Sequence, residues 1–160
     1  MSEHDFDFLH GSWRVAHRYL TRRLAGCEDW ISFESRMRCW PILGGAGNMD
    51  SGEIPARGYH AMTIRLHDPA EDRWSLYWLT SADGGTIKPP VTGRFDCGVG
   101  EFFGPDPGYE FPVLCRYRWS AVAPDWCRWE QALSVNDGRN WETNWYMELT
   151  RGLSGCVMRA

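Results

Sequence analysis

From Trp13 onward the chain alternates: Trp13, Val15, His17, Tyr19 and Thr21 share one parity, and Arg14, Ala16, Arg18 and Leu20 share the other. A period of two belongs to a β-strand, and the aromatic set is the one expected to face a packed interior. The segment from Trp30 to Leu43 repeats the texture, with Ile31, Phe33, Ser35, Met37 and Cys39 opposed to Ser32, Glu34, Arg36, Arg38 and Trp40. Its pattern leaves open which face turns inward. Strand-like runs follow at 59–67, 74–81, 91–95, 100–103, 111–122, 126–135 and 141–151. Turn residues such as Asp68-Pro69-Ala70-Glu71-Asp72 and Asn136-Asp137-Gly138-Arg139 separate them. About eight to ten short strands joined mostly by hairpins predict an all-β chain, a single antiparallel up-and-down β-barrel rather than a sandwich.

Ahead of the first strand, Ser2 is placed to cap one helical turn with Asp5 at the third position. Phe6 and Leu9 then share a side and cork one end of the barrel, and Gly11 ends the turn. The reading is one domain over 1–160, with a plug at 1–10 and a tail at 152–160.

Composition sharpens the picture in three ways. Ten Trp and an aromatic fraction of 14% supply side chains large enough to fill or line a barrel. A net charge of −4 argues against nucleic acid or an acidic membrane as partner, and no apolar run approaches the length of a membrane span. Six Cys without a C-x-x-C pair, behind a mostly polar N-terminus, point to a cytoplasmic protein with reduced thiols. All but one of the 17 basic residues are Arg, the exception being Lys88. Biased genomic composition explains that as well as inward-facing guanidinium groups that clamp carboxylates.

Several motifs carry less than they promise. Gly44 to Gly52 is Gly-rich but lacks the Gly-Lys-Ser/Thr ending of a phosphate loop, so it reads as a bulged strand or a flexible rim. Ser134 to Trp141 resembles a single sialidase Asp-box, a turn-stabilising device. Arg116-Tyr117-Arg118-Trp119 interleaves cations with rings, yet on a strand the Arg pair and the aromatic pair point opposite ways. None of the five His forms a metal-binding pair, so no metal and no cofactor is expected.

The stretch Phe6-Asp7-Phe8-Leu9-His10-Gly11-Ser12-Trp13 resembles the opening of lipocalins and the wider calycin superfamily, small barrels that enclose a ligand. With Trp129-Glu130-Gln131-Ala132-Leu133-Ser134 and Asn144-Trp145-Tyr146-Met147, it is also similar to an uncharacterised bacterial lipocalin-like group. The resemblance implies that Trp13 seals the narrow end and that Arg151, finishing the last strand, packs across the indole; it brings no activity.

The candidate lumen set is Trp13, His17, Arg36, Trp78, Trp129, Gln131, Asn144 and Tyr146. If Val135 pairs with Asn140, Gln131 faces Asn144 and Trp129 faces Tyr146; a slip of one would bring Glu130 near Asn144 instead. His60, sharing parity with Met62 and Ile64, is the second inward candidate after His17. The leading expectation is binding of a small, partly apolar and acidic or neutral molecule in the barrel. The alternative is an isomerase, hydratase or hydrolase on the same scaffold, with His17, Glu34 or Glu130 as acid or base. A filled barrel serving assembly is the third, and an aromatic exterior adds a homodimer to the expectations.

Overall fold

A computed structural model of the chain describes residues 2–152. The Ser2 side chain, expected as a cap, and the tail from 153 on, Cys156 included, lie outside the described residues. Ten strands form in chain order: β1 (Gly11–Leu20), β2 (Trp30–Ile42), β3 (Gly47–Ile54), β4 (Tyr59–Asp68), β5 (Arg73–Thr80), β6 (Val91–Asp96), β7 (Val99–Pro105), β8 (Leu114–Ser120), β9 (Trp126–Ser134) and β10 (Glu142–Arg151). Each pairs antiparallel with its sequence neighbour. β1 also pairs with β10, from Trp13 opposite Arg151 to Tyr19 opposite Trp145, which closes the barrel. Among the described residues no helix is long and apolar enough to cross a membrane.

The strand pattern of β1 is strict: Trp13, Val15, His17 and Tyr19 are buried while Ser12, Arg14, Ala16 and Arg18 are exposed. The Gly-rich segment is more regular than a flexible rim. Residues 47–54 make an ordinary strand, and only Leu43–Gly45 turns, as a short 3-10 segment. In β3 and β4 the expected polarity is inverted. Asn48, Asp50, Thr63 and Arg65 face the lumen, whereas Met49, Met62 and Ile64 lie on the outer wall, and His60 goes with them as an exposed residue. The inward reading of His60 is therefore corrected: apolarity marks the inner face only where the interior is apolar.

The N-terminal plug is two 3-10 turns, Ser2–His4 and Asp7–Leu9, rather than one α-helical turn. So short a segment ahead of Gly11 closes only tight i to i+3 bonds, such as Leu9 N donating to the Phe6 carbonyl. Phe6 and Leu9 are fully buried, and the Phe6 ring meets Trp74 at 5.0 Å and Phe95 at 5.1 Å between centroids, both edge-on. The Trp13 indole N–H donates to the Leu9 carbonyl at 2.7 Å, and the Arg151 guanidinium lies 3.9 Å from the centre of the Trp13 ring. Arg151 also donates to the Phe8 carbonyl at 2.6 Å and to the His10 carbonyl, tying the last strand to the plug. Gly11 permits this approach: its φ is +110°, and a Cβ there would fall 2.7 Å from Arg151 Nη1.

At the opposite end the β9–β10 hairpin is held by its own side chains. Ser134 Oγ accepts from Gly138 N at 2.8 Å, and Asn136 Oδ1 accepts from Asn140 N at 2.9 Å. Pairing starts in the register that the sequence suggests, Glu142 opposite Leu133 and Thr143 opposite Ala132. A β-bulge at Asn144 then advances it, so that Trp145 faces Gln131 and Met147 faces Trp129.

Candidate functional site

The barrel axis carries three tiers. Nearest the plug is a buried polar relay from β3 and β4: Arg65 donates to Asp50 Oδ2 at 2.5 Å and to Asn48 Oδ1 at 3.1 Å. Asn48 donates in turn to the Phe6 carbonyl at 3.4 Å, and Asp50 Oδ1 accepts from Thr63 N at 3.3 Å. Phe6 also lies against the Arg65 guanidinium at 5.3 Å. The pair is thus neutral as a unit and sealed beneath by the plug.

Above it is a cavity of about 70 Å³ whose wall includes His17, Ser35, Met37, Asp50, Arg65 and Thr63 together with the rings of Trp78, Tyr117, Trp119, Trp129 and Trp145. Trp145 meets Trp129 edge-on at 5.5 Å and Trp78 at 6.1 Å. Two donors on this wall have no hydrogen-bond partner among the described residues, Arg65 Nε and Trp119 Nε1, in residues 3% and 2% exposed. A buried donor left unmatched costs about 1–3 kcal/mol, so the cavity favours an occupant that presents acceptors.

His17 faces this cavity with both ring nitrogens engaged. Trp145 Nε1 donates to Nδ1 at 3.0 Å, and since an indole N–H can only donate, Nδ1 carries no proton. The proton is on Nε2, which donates to Ser35 Oγ at 2.7 Å, while Phe33 stacks on the ring at 4.4 Å. Burial pushes the imidazole pKa down from 6.5 to about 4. Because the folded value lies below the unfolded one, the stabilisation is complete above pH 6.5 and is lost as pH falls through about 4. Across that window the loss amounts to roughly 3 kcal/mol. We expect urea unfolding of the wild type to lose stability between pH 6.5 and 4 more steeply than His17→Gln; parallel pH profiles would contradict the neutral, doubly bonded imidazole.

The third tier is the mouth, where a compartment of about 140 Å³ shares Leu76, Trp78 and Tyr117 with the cavity below. Gln131 lines it and donates to Asn144 Oδ1 at 2.9 Å, so the bulge residue still meets its expected partner although the strand register has moved. Asn144 itself is fully buried, with Nδ2 lacking a partner among the described residues.

Several sequence candidates lie elsewhere. Tyr146 is on the outer wall, its ring 5.7 Å from Trp30 and 5.0 Å from the Arg128 guanidinium, because the bulge at Asn144 reverses the parity of β10. Arg36 does border the cavity as expected, although it alternates outward on β2 and is exposed. Glu34 is exposed, 3.6 Å from Arg14. Glu130 lies on the outer face of β9, 3.7 Å from Arg116 and 3.8 Å from Arg118. Neither carboxylate can act as a lumenal acid or base, so that part of the enzyme expectation is corrected. Trp13 belongs to the plug layer and does not line the central cavity. His17, Arg36, Trp78 and Trp129 all border the central cavity; Gln131 lines the tier above, and Asn144 is bonded to it. The relay of Asn48, Asp50 and Arg65 escaped the sequence reading, and its signal was the alternation of polar residues at 48, 50, 63 and 65.

No protein-family model matches the chain, and no curated protein matches it. Among solved structures, the S-type phycobiliprotein lyase CPES from Guillardia theta superposes with a TM-score of 0.62 at 14% identity, covering 97% of this chain and 95% of that one. Rv2717c from M. tuberculosis superposes with a TM-score of 0.55 at 11% identity, covering 93% and 98% respectively. At such identities the likeness extends to the fold alone.

Proposed function

We propose that this barrel binds a small, partly apolar molecule in its lumen, lodged among Trp78, Tyr117, Trp129 and Trp145 with an acceptor group toward Arg65 Nε and Trp119 Nε1. The observation that carries the reading is the aromatic cavity with two buried donors on its wall that are unmatched among the described residues. Its volume of about 70 Å³ is below the roughly 150 Å³ of a cavity that holds one benzene ring, so an occupant of one or two rings must extend from it into the mouth compartment of about 140 Å³, with which it shares Leu76, Trp78 and Tyr117. The Asp50–Arg65 pair is already neutral, so the part of the ligand that reaches the central cavity is uncharged. A second copy of the chain is a further proposed partner, through the half-exposed outer face of Met49, Met62, Ile64 and Leu79.

The competing reading is turnover on the same scaffold. Of its three acid–base candidates only His17 reaches the lumen, and both of its nitrogens are occupied. Binding is therefore the better-supported function. The experiment is a panel of neutral and acidic one- and two-ring compounds, monitored by Trp fluorescence and melting, with native mass spectrometry of protein purified from its own host. A ligand at a hundredfold its Kd is expected to add about 2.7 kcal/mol of stability. Unchanged fluorescence and melting across the panel, with no co-purifying small molecule, would remove the proposal.

A further inference from the structure

We infer that the ligand carries an acidic group, and that Arg23 in the β1–β2 loop clamps it at the mouth of the barrel rather than Arg65 at its centre. This rests on the lumen-binding reading and adds the position and charge of one end of the ligand.

Arg23 and Arg65 are both shielded guanidinium groups, but they differ in what already holds them. Arg65 has Asp50 at 2.5 Å and Asn48 at 3.1 Å, so an acid brought beside it would meet a carboxylate that has already neutralised the charge. Arg23 makes no ion pair among the described residues. Its Nε and Nη2 atoms are buried and have no hydrogen-bond partner there. Those two atoms form one edge of the guanidinium fork, the edge whose parallel N–H bonds match the two oxygens of a carboxylate.

The group is also fixed in place. Its Cζ lies 4.7 Å from the Tyr19 ring centre and 5.8 Å from that of Trp145, while Arg57 lies 4.9 Å from Tyr19. Arg23 lines the mouth compartment of about 140 Å³ together with Lys88, Asp106, Leu76, Trp78 and Tyr117. Lys88 is spoken for by Asp83, and Asp106 Oδ1 accepts from Gly108 N at 2.9 Å. Nearby, Glu142 Oε1 accepts from Leu24 N at 2.8 Å, which anchors the loop that presents Arg23. Since Leu76, Trp78 and Tyr117 border both compartments, an aromatic body among the lumenal rings can carry an acid that ends at Arg23.

The test compares matched acids and amides, benzoate with benzamide and 2-naphthoate with 2-naphthamide, by isothermal titration on the full chain. The wild type is expected to prefer each acid by about tenfold or more. Arg23→Met should erase that preference, bringing each acid to the affinity of its amide, and Arg23→Lys should restore it only in part, because an ammonium cannot make the two parallel bonds. Equal binding of acid and amide, or a preference that survives Arg23→Met, overturns the clamp and leaves the lumen reading standing. Failure of all four probes to bind overturns the lumen reading, and the clamp with it.

Discussion

Trp13→Ala is expected to cost about 3–5 kcal/mol of folding stability, the range for removing a large buried aromatic side chain. The indole is 1% exposed, and three separate connections end on it. Its N–H holds the Leu9 carbonyl of the plug at 2.7 Å, its face carries the Arg151 guanidinium at 3.9 Å, and its parity fixes the inner face of β1. Removing the ring therefore loosens the plug and the closing β1–β10 seam together. Trp13→Phe keeps much of the packing and loses the hydrogen bond, for a smaller cost of about 1–2 kcal/mol. Urea unfolding followed by far-ultraviolet circular dichroism measures both. A Trp13→Ala loss below 1 kcal/mol would mean that the plug and seam close the barrel without it.

Asp50→Ala is the second change with a large expected effect, again about 3–5 kcal/mol, because it strands the Arg65 charge in a residue only 3% exposed. Leaving one member of a buried pair alone costs more than removing both. Asp50→Ala combined with Arg65→Met is accordingly expected to be more stable than Asp50→Ala alone, since the stranded charge is gone and the methionine occupies much of the same space. Chemical denaturation of Asp50→Ala, Arg65→Met and the double variant gives the coupling directly. If the double variant is as unstable as the sum of the singles, the pair does not act as a unit. Ligand affinity should fall in Arg65→Met and in the double variant, since Arg65 Nε is one of the two donors left for an acceptor in the cavity.

What the sequence by itself determined was periodic. Alternation in β1 marked the lumenal row of Trp13, Val15, His17 and Tyr19, and hairpin turns at short spacing implied a closed antiparallel barrel. Phe6 and Leu9 were legible as a cork because two large apolar residues three apart ahead of a Gly have little else to bury against. The hairpin register of β9 and β10 was legible as far as Thr143.

Only the tertiary structure decided the rest. One inserted residue, Asn144, moved Tyr146 to the outside and put Trp145 and Met147 within, since a shift of one exchanges the two faces of a strand. The polar inner face of β3 and β4 could not be read from apolarity, because Asp50 and Arg65 are tolerated inside only through each other, and their partnership spans two strands. Which guanidinium groups are already neutralised and which are free is likewise a property of closure. Parity is local to one strand, but pairing of charges depends on strands brought side by side, and that is where the candidate chemistry of this barrel is settled.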